Sequence, residues 1–197
     1  MAEVAVKRAP APAPLDLVEA FINTRDLESG ADELASTSGL RSWLVDRQLI
    51  KTGESVSERD RRQAIRLREA LRRSALANNS AAAEVRTVRE LNQLAHDARL
   101  VVAFTDNGSA RLDPSVPGVD AGLSRILAAV FVAMLTGRWT RLKGCGNDTC
   151  QWAFYDASKN RSGRWCEMAD CGNDAKGRAY RARRRAAVRA RASSRQS

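Results

Sequence analysis

Histidine is almost missing: His96 is the only one in 197 residues. A chain with so little imidazole has few means of general acid–base catalysis and cannot build a histidine-rich metal site, and His96 reads as a satisfied surface or core-edge residue of a helix. Aromatic residues make up only 5% of the chain. Three of the five prolines precede Leu15 and none recurs before Pro114, which leaves the stretch between them free to form long helices. No apolar run reaches the roughly 20 residues needed to cross a bilayer. The most apolar one, Val119 to Gly137, contains Arg125 and reads as a buried core helix. The N-terminus also lacks the apolar core and small-residue cleavage site of an export signal. The expectation is therefore a cytoplasmic chain, without a membrane partner, whose thiols stay reduced.

What is present gathers towards the C-terminus. All four cysteines fall in the order Cys145-x4-Cys150-x15-Cys166-x4-Cys171. Two close pairs joined by a longer loop can bring four thiolates onto one tetrahedral ion, each pair supplying a short knuckle. The alternative of two disulfides needs an oxidising compartment, so one Zn2+ per chain, held by Cys145, Cys150, Cys166 and Cys171, is expected. Charge divides the chain at the same place. Residues 1–137 hold 18 Lys+Arg against 18 Asp+Glu, whereas residues 138–197 hold the remaining 15 (33 − 18) against 5 (23 − 18). A field that concentrated attracts polyanions, and nucleic acid is the usual one.

Periodicity supplies the elements. Leu15 to Leu27, Leu40 to Ile50, Glu58 to Ala77 and Ala81 to Ala98 repeat apolar residues at intervals of three and four, predicting helices, the last two as a hairpin. Ser57 and Asp60 begin the third in capping-box fashion. Its inward stripe is Ala64, Leu67, Ala70, Leu71 and Leu76, while Arg61, Arg62, Arg66, Arg68, Arg72 and Arg73 read as a solvated face; in the next helix Val85, Val88, Leu91, Leu94 and Ala95 should point inward. Leu100 to Thr105 and Ala110 to Leu112, with the turn Asp106-Asn107-Gly108-Ser109 between them, predict a β-hairpin. Asp120 to Leu135, with Leu123, Ile126, Leu127, Val130, Phe131 and Met134, predicts the core helix, stopped by Gly137. Gln151 to Asp156 reads as a strand, with Trp152, Phe154 and Trp165 packing around the metal, the alternative being that they stack on bases. A helix from about Asn173 to Ala192 carries cations on every face, with Arg178, Arg181, Arg185 and Arg189 along one side. The fold class expected is mainly α: a helical N-terminal domain with one small β-hairpin, then a small four-cysteine zinc module and a basic C-terminal helix. The boundaries are a disordered Ala/Pro arm at 1–14, a regulatory domain at 15–137, the finger with its helix at 138–192, and a disordered tail at 193–197.

Several of these residues form a pattern seen elsewhere. Cys145-x4-Cys150, Trp152-Ala-Phe154-Tyr155-Asp156-x-Ser158-x-Asn160, Arg164-Trp165-Cys166-x-Met168 and Cys171-Gly172-Asn173, followed by Lys176 and Tyr180-Arg181, resemble the CGNR-type zinc finger. Upstream, Leu15-Asp16-Leu17-Val18-x-x-Phe21-Ile22-Asn23-Thr24 with Leu40-x-x-Trp43-Leu44 is similar to the ABATE domain. The resemblance implies a stress-induced transcriptional regulator whose finger binds DNA and whose N-terminal domain senses a ligand or partner. One position departs from the pattern: the arginine that names the finger is Asp174 here.

Three functional classes follow from the residues. A DNA-binding regulator would use Lys159, Arg161 and Arg164 between the cysteine pairs and Lys176, Arg178, Arg181, Arg184, Arg185 and Arg189 on the helix, associated with duplex DNA in the nucleoid; an RNA target shares the same charge term. A redox or metal sensor would use the same cysteines through zinc loss. An enzyme fits badly, since four cysteines close the metal's coordination sphere. Asn23, Thr24 and Arg25 are candidates for a small-molecule effector pocket, set against local helix hydrogen bonds. A homodimer is the remaining partner open to the chain.

Overall fold

The computed structural model describes residues 9–79 and 84–193, with side chains in the last helix described through Arg185 except at positions 179 and 182. The fold is mainly α. In chain order it has α1 (Leu15–Ile22), α2 (Thr37–Asp46), α3 (Glu58–Ala77), α4 (Val85–Asp97), a hairpin of β1 (Leu100–Phe104) and β2 (Ala110–Pro114), α5 (Gly118–Leu135), a single 3-10 turn (Trp139–Arg141), β3 (Leu142–Gly144), β4 (Ala153–Tyr155), a π turn (Met168–Gly172) and α6 (Asn173–Ser193). The expected disorder of residues 1–8 and 194–197 lies outside the described residues. Within 9–14, Ala11 is buried and donates its N–H to Glu19 Oε2 at 2.6 Å.

Helix α3 is the spine. Its capping box forms as the sequence suggests, Ser57 Oγ accepting from the Asp60 N–H and Asp60 Oδ2 from the Ser57 N–H. Of its stripe, Ala64, Leu67, Ala70 and Leu71 are buried together with Ala75, Leu76 is half-buried, and α1, α2, α4, α5 and β3 all pack against the helix. Being surrounded on so many sides overturns one expectation. Arg68 and Arg72 are not on a solvated face but are 0% and 2% exposed. The loop after α1 covers this side of α3, and both guanidiniums bind into it. Arg61, Arg62, Arg66 and Arg73 stay half-buried or exposed.

Helix α4 differs too. It buries Thr87 and Leu94, while Val85 and Val88 are 66% and 44% exposed and Ala95 is exposed. The Arg73 guanidinium donates to Thr87 Oγ1 at 3.2 Å and Glu90 Oε2 at 2.5 Å. That polar seam turns the helix away from its most apolar face. In α5, Val119, Leu123, Ile126, Val130 and Ala133 enter the core, but Phe131 and Met134 remain 46% and 48% exposed. By length and composition, and contrary to the expectation from the count of apolar residues, this 18-residue helix could cross a membrane, yet half of it is buried inside the protein against α1, α3 and β2. Gly137, at φ 66°, ends it, and the Arg138 N–H closes on Ala133 O at 2.8 Å.

The strands of the cysteine region dock on the helical body. Trp139, Leu142 and Ala153 belong to the main apolar cluster. Gly144 of β3 lies so close to α3 that a Cβ there would come within 2.6 Å of Leu76 Cδ2. Asparagines complete the joint. Asn23 donates to Ala153 O at 2.9 Å and accepts from its N–H at 2.8 Å; Asn78 Nδ2 donates to Trp139 O and Leu142 O, and Asn79 Nδ2 to Gly144 O and Arg164 O.

Candidate metal centre and basic helix

The short β3–β4 ribbon fixes the first knuckle. Register Gly144↔Ala153 places Cys145 and Cys150 in the turn between the strands, with the Cys145 N–H on Trp152 O and the Cys150 N–H on Asn147 O, both at 2.9 Å. Cys166 follows the polar loop, and Cys171 sits in the π turn that starts α6. All four sulfurs lie within 4.8 Å of one another and all four residues are buried. Cys150–Cys166 and Cys166–Cys171 Sγ separations are 3.6 and 3.7 Å. Those are far from a disulfide bond and close to the edge of about 3.8 Å of a tetrahedron with Zn–S of about 2.3 Å.

Electrostatics point the same way. Thiol hydrogen bonds from Cys150 and Cys166 hold Cys145 well below the usual thiol range, and those same bonds push Cys150 and Cys166 up. One divalent cation would stabilise four thiolates packed this closely. Backbone N–H groups of Asn147 and Cys166 donate to the Cys145 sulfur, and that of Trp152 to the Cys150 sulfur, as a metal-bound thiolate requires of its surroundings. Phe154 is buried against the quartet, and Trp152 and Trp165 pack on it half-buried. The site fits one zinc ion, and with four sulfur donors it leaves no coordination position for a substrate.

Beneath the ribbon lies an ion pair that the residue pattern did not single out. Lys143 Nζ, 5% exposed as a residue, donates to Asp156 Oδ2 at 2.9 Å, Arg161 O at 2.5 Å and Gly163 O at 3.1 Å. Burial alone would raise the Asp156 carboxyl, but bonds from Ser158, Lys143 and the Gly163 N–H outweigh it and hold the group well below the usual range. A Cβ at Gly163 would fall 2.9 Å from this carboxylate. The pair therefore shapes the loop 157–164 that carries Lys159, Arg161 and Arg164, all three exposed.

Lys176, Arg178, Arg181, Arg184 and Arg185 are exposed along α6. The Arg189 side chain lies outside the described residues. Among the five, Arg178 is engaged within the protein, donating to Asp174 Oδ2 at 2.6 Å and Asn147 Oδ1 at 2.9 Å. Asp174 thus takes an i,i+4 ion pair where the finger pattern has its arginine.

A profile of the ABATE family, described as "Putative stress-induced transcription regulator", matches residues 15–138, and one of the CGNR zinc finger matches residues 141–184. The chain belongs to the ABATE family. No curated protein matches it.

Within the ABATE domain, Asn23, Thr24 and Arg25 have three different surroundings. Asn23 clasps β4, Thr24 Oγ1 donates to Phe21 O at 2.8 Å and accepts from Arg68 at 3.2 Å, and Arg25 is exposed. A cleft of about 540 Å3 opens elsewhere, between the loop after α2 and the start of α5, lined by Leu49, Ile50, Glu54, Val116, Pro117 and Arg125 among others. Glu54 Oε2 is buried at its wall without a hydrogen-bond partner. Sequence reasoning missed this cleft because its lining comes from segments some 60 residues apart, none with a periodic signature.

Proposed function

We propose that this ABATE protein is a zinc-stabilised transcriptional regulator whose α6 and loop 157–164 bind the phosphate backbone of duplex DNA, and whose ABATE domain takes an effector in the α2–α5 cleft. The observation that carries the reading is a 21-residue helix, anchored at Cys171, whose described basic side chains are exposed. At 1.5 Å per residue such a helix extends about 30 Å, close to one turn of duplex. Its dense arginines suit a repetitive anionic rail better than varied base edges. The loop held by Lys143 and Asp156 then supplies Lys159, Arg161 and Arg164 for sequence preference. The Glu54 oxygen would accept from a donor group of the effector, and the apolar cleft walls would hold its body.

Binding to labelled duplex at several salt concentrations tests the reading. Replacing Arg181, Arg184 and Arg185 together by alanine should lower the slope of log affinity against log salt by about 2.7, at about 0.9 per phosphate contact, alike for all sequences. An unchanged slope would sink the phosphate assignment. Tighter binding to an RNA stem than to the matching duplex DNA would move the target class.

A further inference from the structure

The zinc quartet and the basic helix meet through one asparagine. Asn147 is 5% exposed and lies between Cys145 and Cys150, yet its side chain faces the other knuckle. Its Nδ2 donates to Cys171 Sγ at 3.6 Å, and its Oδ1 accepts from Arg178 of α6 at 2.9 Å. The other arm of Arg178 is held by Asp174 at 2.6 Å. We propose that Cys171, Asn147, Arg178 and Asp174 form a relay that locks the direction of α6 to the metal-bound sulfurs, so that zinc occupancy sets the docking of the basic helix.

The chemistry of the donor set supports each link. Four thiolates and one divalent cation leave a net charge of about −2 in a buried place, which calls for N–H donors on the sulfurs and positive charge nearby. Asn147 supplies a donor. Arg178 supplies the charge and, by donating to Oδ1, polarises the amide so that its N–H binds sulfur more strongly. Asp174 fixes the arginine's rotamer from the preceding turn of α6. An arginine at position 174 could not do so; it would repel Arg178. Arg178 is in this sense a positioning residue, with its guanidinium turned back towards the finger, while Arg181, Arg184 and Arg185 remain free to face a partner. When the metal leaves, the knuckles lose their common anchor, Asn147 parts from Cys171, and α6 loses the bond that crosses to the first knuckle.

The relay rests on the proposed function only where DNA is concerned, and its primary test uses none. Full-length zinc-loaded protein and the variants Asn147→Ala, Asn147→Asp, Arg178→Ala, Arg178→Lys and Arg181→Ala are compared by zinc transfer to a chelating dye and by amide hydrogen exchange across residues 173–185. Asn147→Ala should release zinc about 10–100-fold faster and expose the amides of α6. Arg178→Ala should expose the same amides, and Arg178→Lys, which keeps one charged donor, should restore part of the protection. Asn147→Asp keeps an acceptor for Arg178 but no donor for sulfur, so it should release zinc quickly, while α6 stays protected for as long as zinc is bound. Arg181→Ala should change neither quantity. Wild-type exchange and zinc release in Arg178→Ala would overturn the relay, as would an equal effect of Arg181→Ala. Should wild type fail to bind DNA, the function reading falls and these two measurements still decide the relay. Should it bind, Arg178→Ala should weaken affinity without altering the salt slope, whereas Arg181→Ala should reduce the slope by about 0.9.

Discussion

At the scale of single residues, burial rather than charge decides what an arginine does. Arg68 and Arg66 are two positions apart on α3, yet one is fully buried and the other exposed. Arg68 grips Asp32 with two nitrogens at 2.6 and 2.9 Å and reaches Glu69 at 2.9 Å, while Arg72 donates to Ile22 O, Arg25 O and Gln151 O. Removing Arg68 leaves the partly exposed Asp32 and Glu69 without their donor, so Arg68→Ala should cost about 1.5–3 kcal/mol in denaturant unfolding. Asp32 adds a pH dependence. Burial would raise its carboxyl, but the Arg68 bonds, the Leu34 N–H and the charges of Arg68 and Arg25 together hold it below its ordinary 3.8. A depressed carboxylate contributes stability that is present above the unfolded value and lost as pH falls through the folded one. Unfolding free energy should therefore fall below about pH 4, and Asp32→Asn should flatten that limb while lowering stability at neutral pH. An acid limb of equal steepness in Asp32→Asn would remove Asp32 from the account.

At the scale of elements, helices with strong local signals and regular apolar spacing were legible. Glu58–Ala77 begins and ends where its capping box and the Asn78-Asn79 break put it, and the hairpin at Leu100–Phe104 and Ala110–Pro114 follows its turn residues. Which face of α4 turns inward was not legible, because Arg73 and its polar partners on α4 outweigh two valines. Nor was β3, three residues long, since so short a strand exists only by pairing with β4 and lying on α3. That contact yields a test. Gly144→Val should drive its side chain into Leu76 and destabilise the protein by about 1–3 kcal/mol in denaturant unfolding, with zinc affinity lowered because β3 leads directly into Cys145. A variant as stable as wild type would mean that the β3–α3 contact is looser than the 2.6 Å approach implies.

At the scale of the whole molecule, the charge boundary near residue 138 and the packing boundary do not coincide. Leu142 and Ala153, on the basic side of the charge division, lie in the same apolar cluster as Leu15 and Leu71, and Asn23 bonds Ala153 across 130 residues of sequence. Zinc removal should therefore be felt in the helical body. Chelation is expected to lower the midpoint of one cooperative thermal transition by at least about 5 °C, with far-ultraviolet circular dichroism and tryptophan fluorescence changing together. Two separate transitions, the helical one unmoved by chelator, would show instead that the finger folds independently.

The sequence alone determined the metal chemistry, because four cysteines among 197 residues admit few arrangements, and it determined the helical character and the placing of positive charge at the C-terminal end, because periodicity and charge are local properties. Tertiary structure decided which cations are free. Arg68, Arg72 and Lys143 look in sequence like any other surface charge, and only the chain segments folded over them make them internal struts. It decided likewise that Asn23, read as a candidate ligand contact, is a clasp on β4, and that Asn147 faces Cys171: an asparagine's partners are set by whatever distant backbone or sulfur comes within about 3–4 Å.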